Sequence, residues 1–330
     1  MTYLLKPLKV GNLTLGNRLV MPPVVTNKAD ASGKVTDEML DFYKDKSQGG
    51  YISLFIVENS YICKEGKFDK RQLSITDDSM IEGLNKLAAA IHSNGSKCIM
   101  QINHAGGKAY EKDIGTKPVG PSAFSDNSVR ELSPREIENL VGIYGDAAGR
   151  VKAAGFDGVE IHSAHGFLLN QFYSPLINKR TDSYGGEVYN RIRIHLEIIK
   201  MIRAVVGTDF TISLRLGAAD YIKGGTTIED SLIAAAEFEK AGVNILSISG
   251  GLLGFTIPGV TAQGYFAPLS EAIKKVVALP VILTGGITQA KSAERLLIDN
   301  KADLIGVGRA MLMDSKWAKT AVETLKPGAI

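Results

Sequence analysis

The sequence predicts an α/β fold: a single (β/α)8 TIM barrel with an N-terminal plug hairpin and long strand-to-helix loops. Three observations point to it. Short runs rich in Ile, Leu and Val alternate with longer helical periodicities along the whole chain. Eight such runs can be placed. The 330 residues exceed a typical barrel of roughly 250 by about what an N-terminal segment and long loops require.

In chain order, Leu8–Leu15 reads as a hairpin closing the barrel bottom. The strands are Arg18–Met21, Ser53–Glu58, Lys97–Gln101, Gly158–His162, Thr211–Leu216, Ile245–Ser249, Val281–Thr284 and Leu304–Val307. Their continuous apolar character suits parallel strands buried on both faces. Helices are expected over Asp78–Ser93, from Pro134 onward, and over Tyr189–Val206, Thr227–Ala241 and Gln289–Asn300. The best marked follows Ser133, an N-cap, with Pro134 in the first turn and Glu136 placed for a capping box. Ile137, Leu140, Val141, Tyr144, Ala148 and Val151 then share one face. Gly95, Gly155, Gly207 and Gly242 stand where helices need a left-handed C-cap. His104–Leu132 and Gly250–Pro268 are long connections after the third and sixth strands, and long loops in compact domains are usually functional. With no linker, repeat or low-complexity tract, 1–330 reads as one domain.

Composition narrows the function classes. A formal net charge of +3 offers no field to recruit nucleic acid or an anionic membrane. The two cysteines, Cys63 and Cys98, cannot build a four-thiolate cluster, and they are expected to be reduced thiols of a cytoplasmic protein. Lys6, Lys9 and Arg18 interrupt any signal-peptide core, and no apolar run reaches transmembrane length. A small-molecule substrate is expected; a homo-oligomer is compatible with this composition.

Chemistry in such a barrel collects at the C-terminal strand ends. These carry Pro23-Val24-Val25-Thr26, Glu58-Asn59, Gln101, His162 with His165, Arg215, Ser249-Gly250-Gly251, Gly285-Gly286 and Gly308-Arg309. The set lacks the paired acids of glycoside hydrolysis and any Gly-x-Ser-x-Gly elbow. The glycines ending strands seven and eight, with Arg309, fit a phosphate site, because bare backbone N–H groups can approach an anion closely. His162 and His165 lack a third ligand and an acidic base, so no metal is expected. A structural pair whose ring nitrogens simply find partners stays open; the preferred reading is two imidazoles aimed at one substrate oxygen.

Several runs resemble the Old Yellow Enzyme family of FMN-dependent NADH:flavin oxidoreductases. They are Gly16-Asn17-Arg18-Leu19-Val20-Met21-Pro22-Pro23, Gln101-Ile102-Asn103-His104-Ala105-Gly106, Gly158-Val159-Glu160-Ile161-His162-Ser163-Ala164-His165-Gly166, and Asn178-Lys179-Arg180-Thr181-Asp182-Ser183-Tyr184-Gly185-Gly186. Val57-Glu58, Arg215 with Ala219-Asp220-Tyr221, and Gly308-Arg309 extend the match from about Leu5 to Trp317.

The resemblance implies FMN as bound cofactor and NADH or NADPH as hydride donor. It implies that Pro23, Val24, Val25 and Asn59 lie against the isoalloxazine and that Gln101 reads its pyrimidine edge. Arg215 would stand beside flavin N1 and O2, and Gly285, Gly286, Gly308 and Arg309 would take the phosphate. His162 and His165 would grip the oxygen of a substrate stacked on the flavin, lined also by Phe167. The implied reaction is ping-pong reduction of activated C=C bonds in α,β-unsaturated carbonyl compounds, with quinone or nitro acceptors as the alternative.

Two positions depart from the commoner pattern. Phe167 stands where many members have a proton-donating tyrosine. Val25 stands where many have threonine or cysteine near the flavin. A flavin-binding barrel with weak activity is therefore a further reading. A sugar-phosphate aldolase or isomerase is the rival outside flavin chemistry, and a barrel-strand lysine or paired acids would favour it. The longer members carry an additional iron–sulfur and FAD module, which the cysteine count does not lead one to expect in these residues.

Overall fold

In the computed structural model, which describes residues 2–326, eight parallel strands close into a barrel in chain order. They are β1 (Leu19–Met21), β2 (Leu54–Tyr61), β3 (Lys97–Asn103), β4 (Gly158–Ser163), β5 (Thr211–Gly217), β6 (Ile245–Ser249), β7 (Val281–Leu283) and β8 (Leu304–Gly306). The ring closes where Ile305 pairs with Leu19 and Gly306 with Val20. All eight expected strands form. β2 and β3 run past their expected ends at Glu58 and Gln101, pairing again through Ser60–Ile102 and Tyr61–Asn103 after a register shift between Val57 and Ser60. A bulge re-aims the side chains it carries, and this one carries Glu58 and Asn59.

The N-terminal hairpin pairs Leu8–Val10 with Leu13–Leu15. Its Val10 and Leu15 pack in one buried cluster with Val20, Leu54, Ile56, Ile99, Ile245, Ile282 and Leu304 of the barrel strands. These lie toward the strand starts, so the hairpin seals the bottom, as the sequence predicts. A larger apolar core lies between barrel and helices.

Local signals for the helices operate as expected, with one break. Ser133 caps Pro134–Ala153, accepting from the Glu136 backbone while the Glu136 carboxylate accepts from Ser133 N at 2.8 Å. Gly95, Gly155, Gly207 and Gly242 all take positive φ. Asp78–Ser93 begins as a 3-10 turn before its α-helix, Ile81–His92. The helix expected over Tyr189–Val206 is interrupted at Ile192, giving Val188–Arg191 and Arg193–Val206. Next to the break sits Arg191, a buried guanidinium that donates to Gly186 O at 3.0 Å and to Tyr173 O, and lies 3.1 Å from Asp230. Satisfying a buried charge outweighs continuing a helical ladder. Helices Asp37–Ser47 and Ala267–Ile273 complete the outer layer without a clear periodic signal.

The Arg-Thr-Asp-x-Tyr-Gly-Gly run is a fastening for the long loop after β3. Arg180, buried, donates to Pro121 O at 2.9 Å and Leu132 O at 2.6 Å and pairs with Asp182. A Cβ at Gly185 would come within 2.1 Å of Arg180 O, so only glycine fits there. Cys63 and Cys98 are free thiols. Among the described residues, no helix is long and apolar enough to cross a membrane.

Buried histidines give the fold a pH signature. Burial lowers His104 to about 4 and His195 to about 3, and holds His162 and His165 well below their ordinary value. Each stays neutral in the folded chain but takes a proton in the unfolded chain below roughly 6.5, so each contributes stability that is lost as pH falls. Glu58, raised to about 7 by burial, and Glu160, also raised, act in the opposite sense, but the histidines outnumber them. Between roughly pH 6.5 and 4.5, stability should therefore fall with acidification, by about 1.4 kcal/mol per pH unit for each uncompensated histidine. Denaturant midpoints across that window check this; a midpoint that is flat or rises toward pH 4.5 contradicts it.

Candidate active site

The C-terminal strand ends surround a cavity of about 920 Å³. Every residue to which the resemblance assigns a site role lines it: Pro23, Val24, Val25, Asn59, Gln101, His162, His165, Phe167, Arg215, Gly285, Gly286, Gly308 and Arg309; the strand-end residues Thr26, Glu58, Ser249, Gly250 and Gly251 do not. Barrel closure brings them together from segments far apart in the chain.

A buried polar network lies under this cavity. Glu160 on β4 is fully buried; its Oε1 accepts from Gln101 Nε2 at 2.8 Å and its Oε2 from Ser213 Oγ at 2.8 Å. Burial raises its pKa, while the Arg215 charge and these two hydrogen bonds oppose the rise. Arg215 on β5, in register with His162, is also buried, and its Nε has no partner among the described residues. An unpartnered buried donor at a cavity wall is a place where a ligand acceptor fits.

At one end of the cavity Gly285 and Gly286 take φ of +113° and +67°. A Cβ at either would come within 2.8 Å of the Tyr265 ring. Arg309 Nη2 donates to Tyr265 Oη at 3.2 Å, and Tyr265 Oη donates to Phe255 O at 2.6 Å. The result is bare backbone and a guanidinium facing the same space, which suits a phosphate.

The histidine pair occupies another wall. The His162 and His165 rings are 5.0 Å apart, edge to face. His165 Nε2 shares a hydrogen with Ser249 Oγ at 2.7 Å, whereas His162 Nδ1 is buried without a partner. Burial first, then the charge of Arg215, keeps both imidazoles neutral. His165 takes φ +60°, uncommon for a non-glycine residue, and its ring lies against those of His162 and Phe255. Phe167 follows on the same turn, 5.0 Å from the His162 ring and 5.2 Å from Phe68. It also packs on Ala105, Ala109 and Ile114, so it both fills core space and faces the cavity.

Near the barrel mouth, Glu58 turns away from the cavity space to accept from Thr26 N and Thr26 Oγ, each at 2.7 Å. That contact shapes the Pro23–Thr26 loop and leaves Val25 half-exposed. The loop after β6 contributes Leu252 and Phe255, and Asp220 Oδ1 holds it by accepting from Leu252 N at 2.8 Å.

Reasoning from the sequence names Ser249 only as a strand-end residue and assigns no site role to Glu160, Tyr265 or Lys108. Glu160 could have been found: it precedes His162 by two on a strand and so shares its face. Tyr265 and Lys108 sit in irregular loops, where no periodicity reports direction.

The sequence profile of the NADH:flavin oxidoreductase / NADH oxidase family matches residues 3–327. A protein described as NADH oxidase from Thermoanaerobacter brockii is 41% identical over 325 residues, covering 96% of this chain and 50% of that protein. A NADPH dehydrogenase from Clostridium acetobutylicum is 37% identical over 308 residues, covering 92% of this chain and 89% of its own. The solved structure of an old yellow enzyme homologue from Zymomonas mobilis superposes with a TM-score of 0.86 at 26% identity, covering 98% of this chain and 93% of that one. The chain thus spans about half the length of some of the curated relatives it matches and nearly all of others.

Glu160 anchors the polar network, which makes its removal informative. Glu160→Gln removes the charge opposing Arg215 and leaves a buried cation without its counterpart. We expect a loss of about 1–3 kcal/mol in stability, measured by chemical denaturation, from the disturbed hydrogen bonds to Gln101 and Ser213 and the lost nearby charge. A loss within about 0.5 kcal/mol would mean that Arg215 does not depend on this carboxylate.

Proposed function

Since the chain belongs to the NADH:flavin oxidoreductase / NADH oxidase family, a family that uses FMN with NAD(P)H as hydride donor, we propose that it reduces activated C=C bonds of α,β-unsaturated carbonyl compounds. The observation that carries this reading is the pair of neutral histidines, His162 buried and His165 partly buried, facing a cavity that Arg215 also lines.

The residues present fit FMN. The glycine cradle at Gly285 and Gly286, with Gly308 and Arg309, would take its phosphate. Gln101, its amide nitrogen held by Glu160, would meet the pyrimidine edge, and Arg215 would supply a fixed positive charge there. Pro23, Val24, Val25 and Asn59 would lie against the ring system. When bound, FMN supplies the hydride relay between reduced nicotinamide and the substrate.

The protein's own part in the chemistry is electrostatic. A neutral imidazole can donate one N–H, and His162 and His165 together can present two donors to a carbonyl oxygen. Negative charge grows on that oxygen as the β-carbon is reduced, and preorganised donors in a dry site stabilise it as an oxyanion hole does. Ser249 fixes the orientation of His165, and Arg215 adds positive potential while discouraging protonation of either ring.

One observation favours a second reading. Phe167 brings no hydroxyl to the histidine wall, and quinone or nitro acceptors need no proton at carbon.

The direct test is an absorption spectrum under anaerobic conditions. The purified protein should carry flavin bands, lose them with NADH or NADPH, and regain them with cyclohexenone. A colourless protein that takes up no FMN would exclude the cofactor assignment; bands restored by a quinone but not by the enone would select the second reading. A phenol should add a long-wavelength band, and the double variant His162→Ala/His165→Ala should abolish it while retaining FMN. Equal phenol affinity in that variant would remove the histidines from the ligand site. Val25→Thr should raise the flavin midpoint potential by roughly 30–65 mV, the equivalent of one charge-assisted hydrogen bond. An unmoved potential would mean that residue 25 does not face the flavin.

A further inference from the structure

We propose that Lys108 is the acid that protonates the α-carbon of the alkene in this protein, the role for which Phe167 has no hydroxyl; the inference rests on the alkene-reducing reading above. Lys108 ends the 3-10 turn Gly106–Lys108 after β3 and lines the same cavity as His162, His165 and Phe167. Its Nζ lies 5.0 Å from the centre of the Phe167 ring and 5.6 Å from that of Phe68. It donates to His165 O at 3.0 Å, which leaves two of its three N–H groups free.

Placement of this ammonium is built in. Gln171 accepts from Gly107 N at 3.1 Å and donates to Ala105 O at 3.3 Å and Gly166 O at 2.8 Å. One side chain thereby ties the turn carrying Lys108 to the turn carrying His165 and Phe167. A Cβ at Gly106 would come within 2.5 Å of Gln171 Oε1, so the clamp requires glycine there. No carboxylate of the described residues lies within ion-pair distance of Lys108. The titratable groups facing it are His162 and His165, with His104 two residues before the turn; burial keeps all three neutral, and Arg215 is the charged group behind the pair. An ammonium packed on aromatic faces without a counter-ion is a stronger acid than a free lysine, and desolvation lowers its pKa from the ordinary value, although the side chain keeps access to water from which to regain a proton.

Two hydroxyls at the cavity are engaged with backbone carbonyls. Thr284 Oγ1 donates to Ile248 O at 2.8 Å, and Tyr265 Oη donates to Phe255 O at the phosphate end. In the step, the C=C π bond breaks. The β-carbon receives hydride originating from NAD(P)H, the α-carbon receives a proton from Lys108 Nζ, and the enolate charge held by the histidines collapses to the carbonyl. Lys108 is left as a neutral amine and regains a proton from water.

The test compares oxidation of the reduced holoenzyme by cyclohexenone and by a quinone in rapid mixing. Lys108→Met should lower the ratio of enone rate to quinone rate by about a hundredfold or more. Adding Phe167→Tyr to that variant should restore about tenfold or more, by returning a hydroxyl to the same wall. In the wild type, the enone rate should fall as pH rises through a pKa below the usual lysine value, because only the ammonium can donate. Independently of turnover, ¹³C-methylated lysines observed by NMR should include one that titrates below the exposed ones and is absent from Lys108→Met. A ratio within twofold of wild type, or a wild-type enone rate independent of pH from 7 to 10, would overturn the assignment. Should Lys108→Met not fold, the wild-type pH profile and lysine titration still decide. If the wild type oxidises only with the quinone, the alkene-reducing reading fails and Lys108's role falls with it; an enone rate indifferent to Lys108 removes the lysine alone.

Discussion

The Glu160 carboxylate is the contact on which the arrangement of the cavity most depends. It is fully buried, and a carboxylate cannot remain so without partners. Gln101 and Ser213 supply the hydrogen bonds and Arg215 the opposite charge. These residues stand on β3, β4 and β5, so satisfying one carboxylate sets the relative placement of adjacent strand ends. It also determines what Gln101 and Arg215 have left to offer. Gln101 has committed one of its two amide N–H groups and keeps the other and its carbonyl oxygen, and the buried Arg215 Nε has no acceptor among the described residues. The same Arg215 charge acts on the histidines, helping burial keep them neutral. Network and histidine wall are thus one electrostatic unit.

Around that unit the loops divide into those that are fastened and those that form walls. Arg180 secures the long connection after β3 through backbone carbonyls, and Gln171 secures its first turn. Asp220, buried, holds both the start of the loop after β6 and the turn at Thr226, accepting from Leu252 N and Thr226 N, each at 2.8 Å. Beyond these fastenings Phe68, Phe167, Leu252 and Phe255 give the cavity walls an apolar part, with Lys108 set against Phe68 and Phe167. Where such side chains limit water, a hydrogen bond donated into the cavity is strengthened.

Much of this was readable from residue order, for identifiable reasons. Parallel strands buried on both faces must be apolar throughout, so the eight runs stood out. Capping and helix termination are local, so Ser133, Glu136 and the C-cap glycines were legible. Candidate site residues were legible because a barrel places its chemistry at strand ends. The interrupted helix at Ile192 was not legible, because the periodic pattern continues across it and the cause is the burial of Arg191 among partners remote in sequence. Lys108 was equally hidden. Its place beside Phe167 depends on Gln171, some sixty residues away in the chain, bridging two turns.

By itself the sequence determined the barrel, its plugged bottom and the set of residues available at its open end, because periodicity, caps and glycines act over a few residues. Only the tertiary structure decided what those residues can do. Protonation states of the histidines, the unpartnered Nε of Arg215, the commitment of Gln101 to Glu160 and the approach of Lys108 to the Phe167 face all arise from groups that meet only when the ring closes. Burial and pairing are properties of neighbours in space, and the eight strands that bring those neighbours together come from across the whole chain.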